Sequence, residues 1–110
     1  MNRIKDLIIT GGEKVASLEV ESALASHPDV IESAVIGVPD PDLGEAVKAV
    51  VVVRDGRKVA PADLIAHCRE RLTYFKVPRT IDLAPELPRT GSGKISKRAL
   101  RDPPGRLDQK

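Results

Sequence analysis

The sequence predicts a small α+β domain. It has a sheet of about three strands with a central antiparallel hairpin, packed by two to three helices, and a short N-terminal strand with a Gly-Gly loop. Three observations carry this. Two β-branched apolar runs, residues 30–38 and 45–53, are separated only by Pro39-Asp40-Pro41-Asp42-Leu43-Gly44, a stretch of turn-forming residues. A connection this short pairs the two runs antiparallel. Two further segments space their apolar residues for helices rather than strands.

Taken in order, Ile4 to Thr10 reads as a short apolar strand, broken by Gly11-Gly12. A helix follows from about Leu18 to Ser26, with Val20, Ala23, Leu24 and His27 on one face and Ser17 expected as its N-cap. Pro28 stops it. In the second strand of the hairpin, Ala49-Val50-Val51-Val52-Val53 is apolar at successive positions, so this strand is expected to be central and covered on both faces by helices. Asp55-Gly56 turns the chain. Pro61 suits the first position of a helix that puts Leu64, Ile65, Cys68 and Leu72 on one face and runs to about Leu72. Thr80 to Leu83 offers a third strand, and a last short helix runs from Lys97 to Arg101 with Ser96 as its cap. Residues 1–102 form the domain, and 103–110 are expected to be a loose tail.

A chain of 110 residues can bury one core and has little room for a deep pocket of its own. With one Tyr, one Phe and no Trp, that core must be made of Val, Ile, Leu and Ala. Cys68 is the only cysteine, which excludes an internal disulfide and fits a cytoplasmic setting. His67 stands beside Cys68 without a second ligand pair, so no metal site is expected. No apolar stretch approaches a membrane span. Charge is uneven. Residues 1–68 hold 7 Lys and Arg against 11 Asp and Glu, net −4, whereas residues 69–110 hold 11 against 5, net +6. The basic final third suits an anionic partner such as a nucleotide or coenzyme, or is simply a solvated face. Nucleic acid is disfavoured because stacking aromatics are scarce.

The most informative segment is Leu87-Pro88-Arg89-Thr90-Gly91-Ser92-Gly93-Lys94-Ile95. It is not a phosphate-binding P-loop, since Pro88 and Ile95 stand where that motif needs Gly and Ser or Thr. What remains is a lysine on a Gly-flanked, flexible loop. Its ammonium is a compact charge suited to developing negative charge on phosphate or carboxylate. Taken alone, the loop reads more readily as an ordinary surface turn.

Three segments together resemble the C-terminal domain of the adenylate-forming superfamily, which includes the acyl-CoA synthetases. Residues 3–15, from Arg3 through Gly11-Gly12-Glu13 to Val15, resemble its hinge and Gly-rich loop. His27-Pro28-Asp29-Val30, Ala34-Val35-Ile36-Gly37-Val38-Pro39-Asp40 and Gly44-Glu45 resemble its central hairpin, and residues 87–95 its catalytic-lysine motif. The match covers about residues 2 to 102. Asn2 and Ala16-Ser17 depart from the usual pattern.

The resemblance implies a mobile lid domain of an acid–thiol ligase. Lys94 would be the catalytic lysine of adenylation, meeting the substrate carboxylate and the α-phosphate of ATP. Lys5 would be the hinge. After rotation, Gly11, Gly12 and Glu13 would form the thioesterification loop, along which the thiol of CoA or a carrier protein reaches the acyl-adenylate. Phe75, Lys76 and Arg79 would help bind CoA. ATP, with Mg²⁺, would be held through a large N-terminal adenylating domain supplied in cis or trans, so this chain alone is expected to hold no cofactor and to be inactive. Pro88, Gly93 and Lys94 also fit the pattern that lysine acetyltransferases read in such enzymes. The alternative is a non-catalytic module that binds an anion or protein through its basic final third.

Overall fold

The computed structural model describes residues 7–56 and 58–101. Lys5 and the expected tail therefore lie outside the described residues.

The first element is a β-hairpin. Strand β1 (Leu7–Thr10) pairs antiparallel with β2 (Glu13–Ala16), in register Leu7 to Ala16 and Thr10 to Glu13. Between them stand Gly11 at φ 57° and Gly12 at φ 86°. Positive φ at both central residues of a two-residue loop gives the turn whose twist suits a hairpin, and glycine adopts it without strain. The Gly-Gly pair is thus a turn within a hairpin and not the end of an isolated strand.

Helix α1 (Ser17–Ala25) follows directly and buries Val20, Ala23 and Leu24. Ser17 is not its N-cap. Ala16 holds that place, and Ser17 is a buried helical residue whose Oγ meets Lys97 Nζ at 3.1 Å. The long hairpin is β3 (Val30–Asp40) against β4 (Gly44–Val53). Its turn is closed by Asp40, whose Oδ1 accepts hydrogen bonds from the backbone N–H of Asp42 at 2.8 Å and of Leu43 at 2.9 Å.

Helix α2 (Pro61–Arg69) has Pro61 at its first position, and the Asp63 carboxylate reaches back to the Ala60 N–H at 3.0 Å. It ends earlier than expected: Arg71 and Leu72 N–H both donate to the Cys68 carbonyl and close the chain in a turn. A 3-10 turn (Tyr74–Lys76) leads to β5 (Thr80–Leu83), which joins β4 in parallel. Helix α3 (Lys97–Arg101) follows, with Ser96 Oγ accepting the Ala99 N–H at 3.2 Å.

Among the described residues the sheet has five strands, where about three were expected, in the order β2-β1-β4-β3 with β5 beside β4. Strand β4 is central. β3 runs along one edge, while β5 and the end of β1, through Thr10 and Gly44, share the other. Its continuous apolar run is explained by two cores. Val47, Ala49 and Val51 join Ile8, Val15, Val20, Leu24, Leu64 and Cys68 on the face covered by α1 and α2. Val50 and Val52 join Ala34 and Leu87 on the other face, where Ile95 and Leu100 pack. Helices cover the first face, whereas the second is covered by the segment 84–100, in which only α3 is helical.

Candidate functional site

Residues 87–95, expected to carry the catalytic lysine, fold as a small hairpin. Arg89 and Ile95 form an antiparallel bridge. Thr90 N–H donates to Lys94 O at 2.7 Å, Gly93 N–H to Thr90 O at 2.9 Å, and Ser96 N–H to Pro88 O at 2.8 Å. Gly93, at φ 90°, supplies the left-handed residue that a three-residue hairpin loop requires. The loop expected to be flexible is closed by its own hydrogen bonds. Leu87 and Ile95 anchor its stem in the second core. The Lys94 side chain is exposed and makes no ion pair or hydrogen bond among the described residues.

Arg89 ties this loop to the sheet. Its Nη1 donates to the Gly93 carbonyl at 3.1 Å, and its Nη2 donates to Glu32 Oε1 on β3. Sequence reasoning missed both roles. Arg89 lay inside a recognised motif, but nothing in the sequence pointed to Glu32, 57 residues away.

The Gly11-Gly12 turn lies at the opposite end of the long hairpin. Gly11 N–H donates to Leu43 O at 2.9 Å, and Thr10 pairs with Gly44 at the start of β4. Glu32, which holds Arg89, pairs with Val52 near the other end of β4. Val52 stands eight positions along the strand from Gly44, a span of roughly 25 Å. The β3–β4 hairpin thus carries one loop at each end.

Beside the Gly-Gly turn lies a cavity of about 270 Å³, lined by Thr10, Gly11, Glu13, Leu43, Phe75 and Arg79 among others. The fold therefore brings residues of the expected thioesterification loop and the expected CoA segment to one recess. Phe75 is half-buried and packs against the first core. Lys76 Nζ lies 5.8 Å from the centre of the Phe75 ring and pairs with Glu19 of α1 at 2.9 Å. That ion pair engages one of the two cations, Lys76 and Arg79, expected to help bind CoA. Arg79 is exposed, and its backbone N–H bonds to Val47 O. The backbone N–H groups of Leu43 and Asp42 hold the Asp40 carboxyl below its ordinary range, and the Arg79 charge acts in the same direction. Arg79, Leu43 and Phe75 thus line one recess at this end of the molecule.

Among the described residues, no three His, Cys, Asp or Glu side chains converge as metal ligands, and no helix is long and apolar enough to cross a membrane.

Residues 19–94 match the AMP-binding enzyme C-terminal domain. Over 101 residues the chain is 45% identical to the peroxisomal trans-cinnamate:CoA ligase of Petunia hybrida, covering 92% of this chain and 18% of that protein. It is 48% identical to a feruloyl-CoA synthase of Amycolatopsis, covering 92% and 21%. The crystal structure of apo MatB from Rhodopseudomonas palustris superposes with a TM-score of 0.86 at 44% identity, over 89% of this chain and 20% of that one. The chain thus spans about a fifth of the length of the relatives it matches. A match over residues 19–94 and identities above 40% across nearly the whole chain leave one assignment: this chain belongs to the family of AMP-binding enzyme C-terminal domains.

Proposed function

We propose that the chain serves as the mobile C-terminal domain of an ATP-dependent acid–thiol ligase of the acyl-CoA synthetase type. The observation that carries this reading is the placement of the two loops at opposite ends of β3–β4. Two chemistries that share one cleft need two surfaces that take turns in it, and a rigid body with a loop at each end meets that need by rotating.

In the first half-reaction, a carboxylate oxygen attacks the α-phosphorus of ATP and pyrophosphate leaves. Lys94, exposed on its hairpin, supplies positive charge to the oxygens on which negative charge builds. ATP and its Mg²⁺ are held by a large N-terminal adenylating domain. Lys5 is the hinge of the rotation. In the second half-reaction, Gly11, Gly12 and Glu13 line the path of the thiol, which attacks the acyl carbonyl and displaces AMP. Phe75 and Arg79 contribute to the coenzyme's nucleotide, with Lys76 acting through its contact with the Phe75 ring. The exposure of Lys94 also suits a lysine acetyltransferase, whose product would lack the ammonium charge.

Separating the half-reactions tests this. The chain, joined to or mixed with its large domain, is assayed for pyrophosphate release and, from preformed acyl-adenylate, for thioester formation. Lys94→Ala is expected to slow the first by roughly 10²-fold or more and to spare the second. Equal adenylation with alanine at position 94 would remove the reading. Binding of an anion with no half-reaction under any pairing would favour a non-catalytic module instead.

A further inference from the structure

Among the described residues, one long-range ionic contact joins the catalytic-lysine hairpin to β3, beside the apolar anchoring of its stem by Leu87 and Ile95. A lysine side chain has four rotatable carbons, so the direction of its charge depends on how firmly its own backbone is held. The peptide that enters Lys94 begins at the Gly93 carbonyl, and Arg89 Nη1 donates to that oxygen at 3.1 Å. The same guanidinium is fixed on β3 by Glu32, whose side chain is 27% exposed against 44% for Arg89. A guanidinium can do both at once because its N–H groups diverge in a rigid fork.

The sheet is shaped to place Glu32 there. Val30 pairs with Val53 and Glu32 with Val52, so the register slips by one residue at Ile31. In an unbroken strand Val30 and Glu32 would point to the same face. Because of this bulge, Val30 is buried in the first core while Glu32 lies on the face of Ala34 and Val52, under the Lys94 hairpin. The extra residue, Ile31, is 56% exposed. A bulge that leaves an isoleucine in water and turns a carboxylate toward a site re-aims a side chain.

Resting on the reading of Lys94 as the adenylation lysine, we propose that Glu32 and Arg89 are positioning residues of the adenylation half-reaction: the Glu32–Arg89–Gly93 chain orients the Lys94 backbone so that its ammonium meets the reacting phosphate. Neither touches substrate. Displacements of about 1 Å in a reacting geometry cost on the order of 10²-fold in rate. Loss of the brace should therefore act on adenylation and not on the thiol step, whose loop lies at the other end of β4.

Two measurements test this. In the chain itself, amide hydrogen exchange at Thr90 and Gly93 is compared between wild type, Glu32→Ala and Arg89→Ala. Both variants should quicken exchange at these two amides and leave the central β4 amides unchanged. In the chain joined to or mixed with its large domain, both variants should slow pyrophosphate release at least 10-fold, with thioester formation from acyl-adenylate within 2-fold of wild type. Glu32→Gln, which keeps an acceptor oxygen without the charge, should fall between. Lys48→Ala, which breaks the unrelated 2.9 Å pair with Asp82, should change neither step and so controls for general loosening. If Lys94→Ala abolishes adenylation while Glu32→Ala and Arg89→Ala keep the wild-type rate, the brace is refuted and the function stands. If Lys94→Ala is itself without effect, the functional reading falls first. Equal slowing of both half-reactions would mark the pair as merely structural.

Discussion

The Glu45 carboxylate stands where a side chain on Gly37 would have to go. A Cβ at Gly37 would fall 2.9 Å from Glu45 Oε2 and 3.0 Å from Ile8 Cγ2. The carboxylate cannot simply swing aside, because its Oε1 accepts the Ile9 N–H at 2.9 Å. Strand β1 pairs with β4 only at Thr10, and Glu45 supplies the next hydrogen bond from its side chain. Gly37→Ala is therefore expected to destabilise the chain by about 1–3 kcal/mol, read as a lower urea midpoint at unchanged m. In the Gly37→Ala/Glu45→Ala double variant the two costs should not add, since removing the carboxylate relieves the clash.

Glu21 joins three elements. Its Oε2 accepts the Val35 N–H at 2.9 Å on β3 and pairs with Lys97 Nζ of α3 at 2.8 Å. Both side chains are about four-fifths buried. Glu21→Ala leaves the Val35 N–H without its acceptor and a cation with less compensation, so a loss of about 1–3 kcal/mol is expected. Glu21→Gln should cost less, because an acceptor oxygen remains. Faster hydrogen exchange at the Val35 amide in the alanine variant, but not in glutamine, checks the assignment.

These two relationships mark where the sequence was silent. The helical spacing of Val20, Ala23 and Leu24, the continuous apolar run to Val53, and Pro61 at a helix start were all legible, because local periodicity reports burial directly. Strand β2 was not, since Glu13-Lys14-Val15-Ala16 buries only Val15 fully and shows no alternation to read. The parallel pairing of β5, the contact of Ser17 with Lys97 and that of Glu32 with Arg89 join residues far apart in the chain, and no local pattern encodes them. The candidate site was legible through resemblance. Its geometry, with loops at opposite ends of one hairpin, came only from the fold.

His67 offers a pH test. Its Nε2–H faces the Ala23 carbonyl at 3.1 Å and Ser26 Oγ at 2.8 Å, linking α2 to the end of α1. Burial and then the Arg71 charge lower its pKa below 6.5, against weaker opposing effects from the Ala23 carbonyl and Glu70; His27, whose ring centre is 5.0 Å away, adds to the lowering. The folded state therefore favours the neutral ring. Its contribution is present above the unfolded pKa near 6.5 and is lost as pH falls through the lower folded value. The urea midpoint should drop between pH 7.5 and pH 5.5, and His67→Gln should flatten that drop. Asp40, also lowered, acts only below about pH 4, outside the pH 7.5 to pH 5.5 range of this comparison.

The Gly-Gly turn allows conformational and functional needs to be separated. Gly11 lies at φ 57°, a region asparagine enters more readily than other side-chain-bearing residues, and a Cβ there would meet Leu43 Cδ2 at 3.3 Å, a small adjustment. Gly12 lies at φ 86° with open space around it, so alanine there meets strain from the backbone alone, about 1–2 kcal/mol. Gly11→Asn should thus fold with a urea midpoint close to wild type, because Asn-Gly is a favoured pair for this turn. If the thiol path needs bare backbone, the same variant should slow thioester formation while pyrophosphate release stays at the wild-type rate. That is the mirror image of Lys94→Ala. A Gly11→Asn chain that forms thioester at full rate would show that the turn needs glycine for its shape and not for its openness.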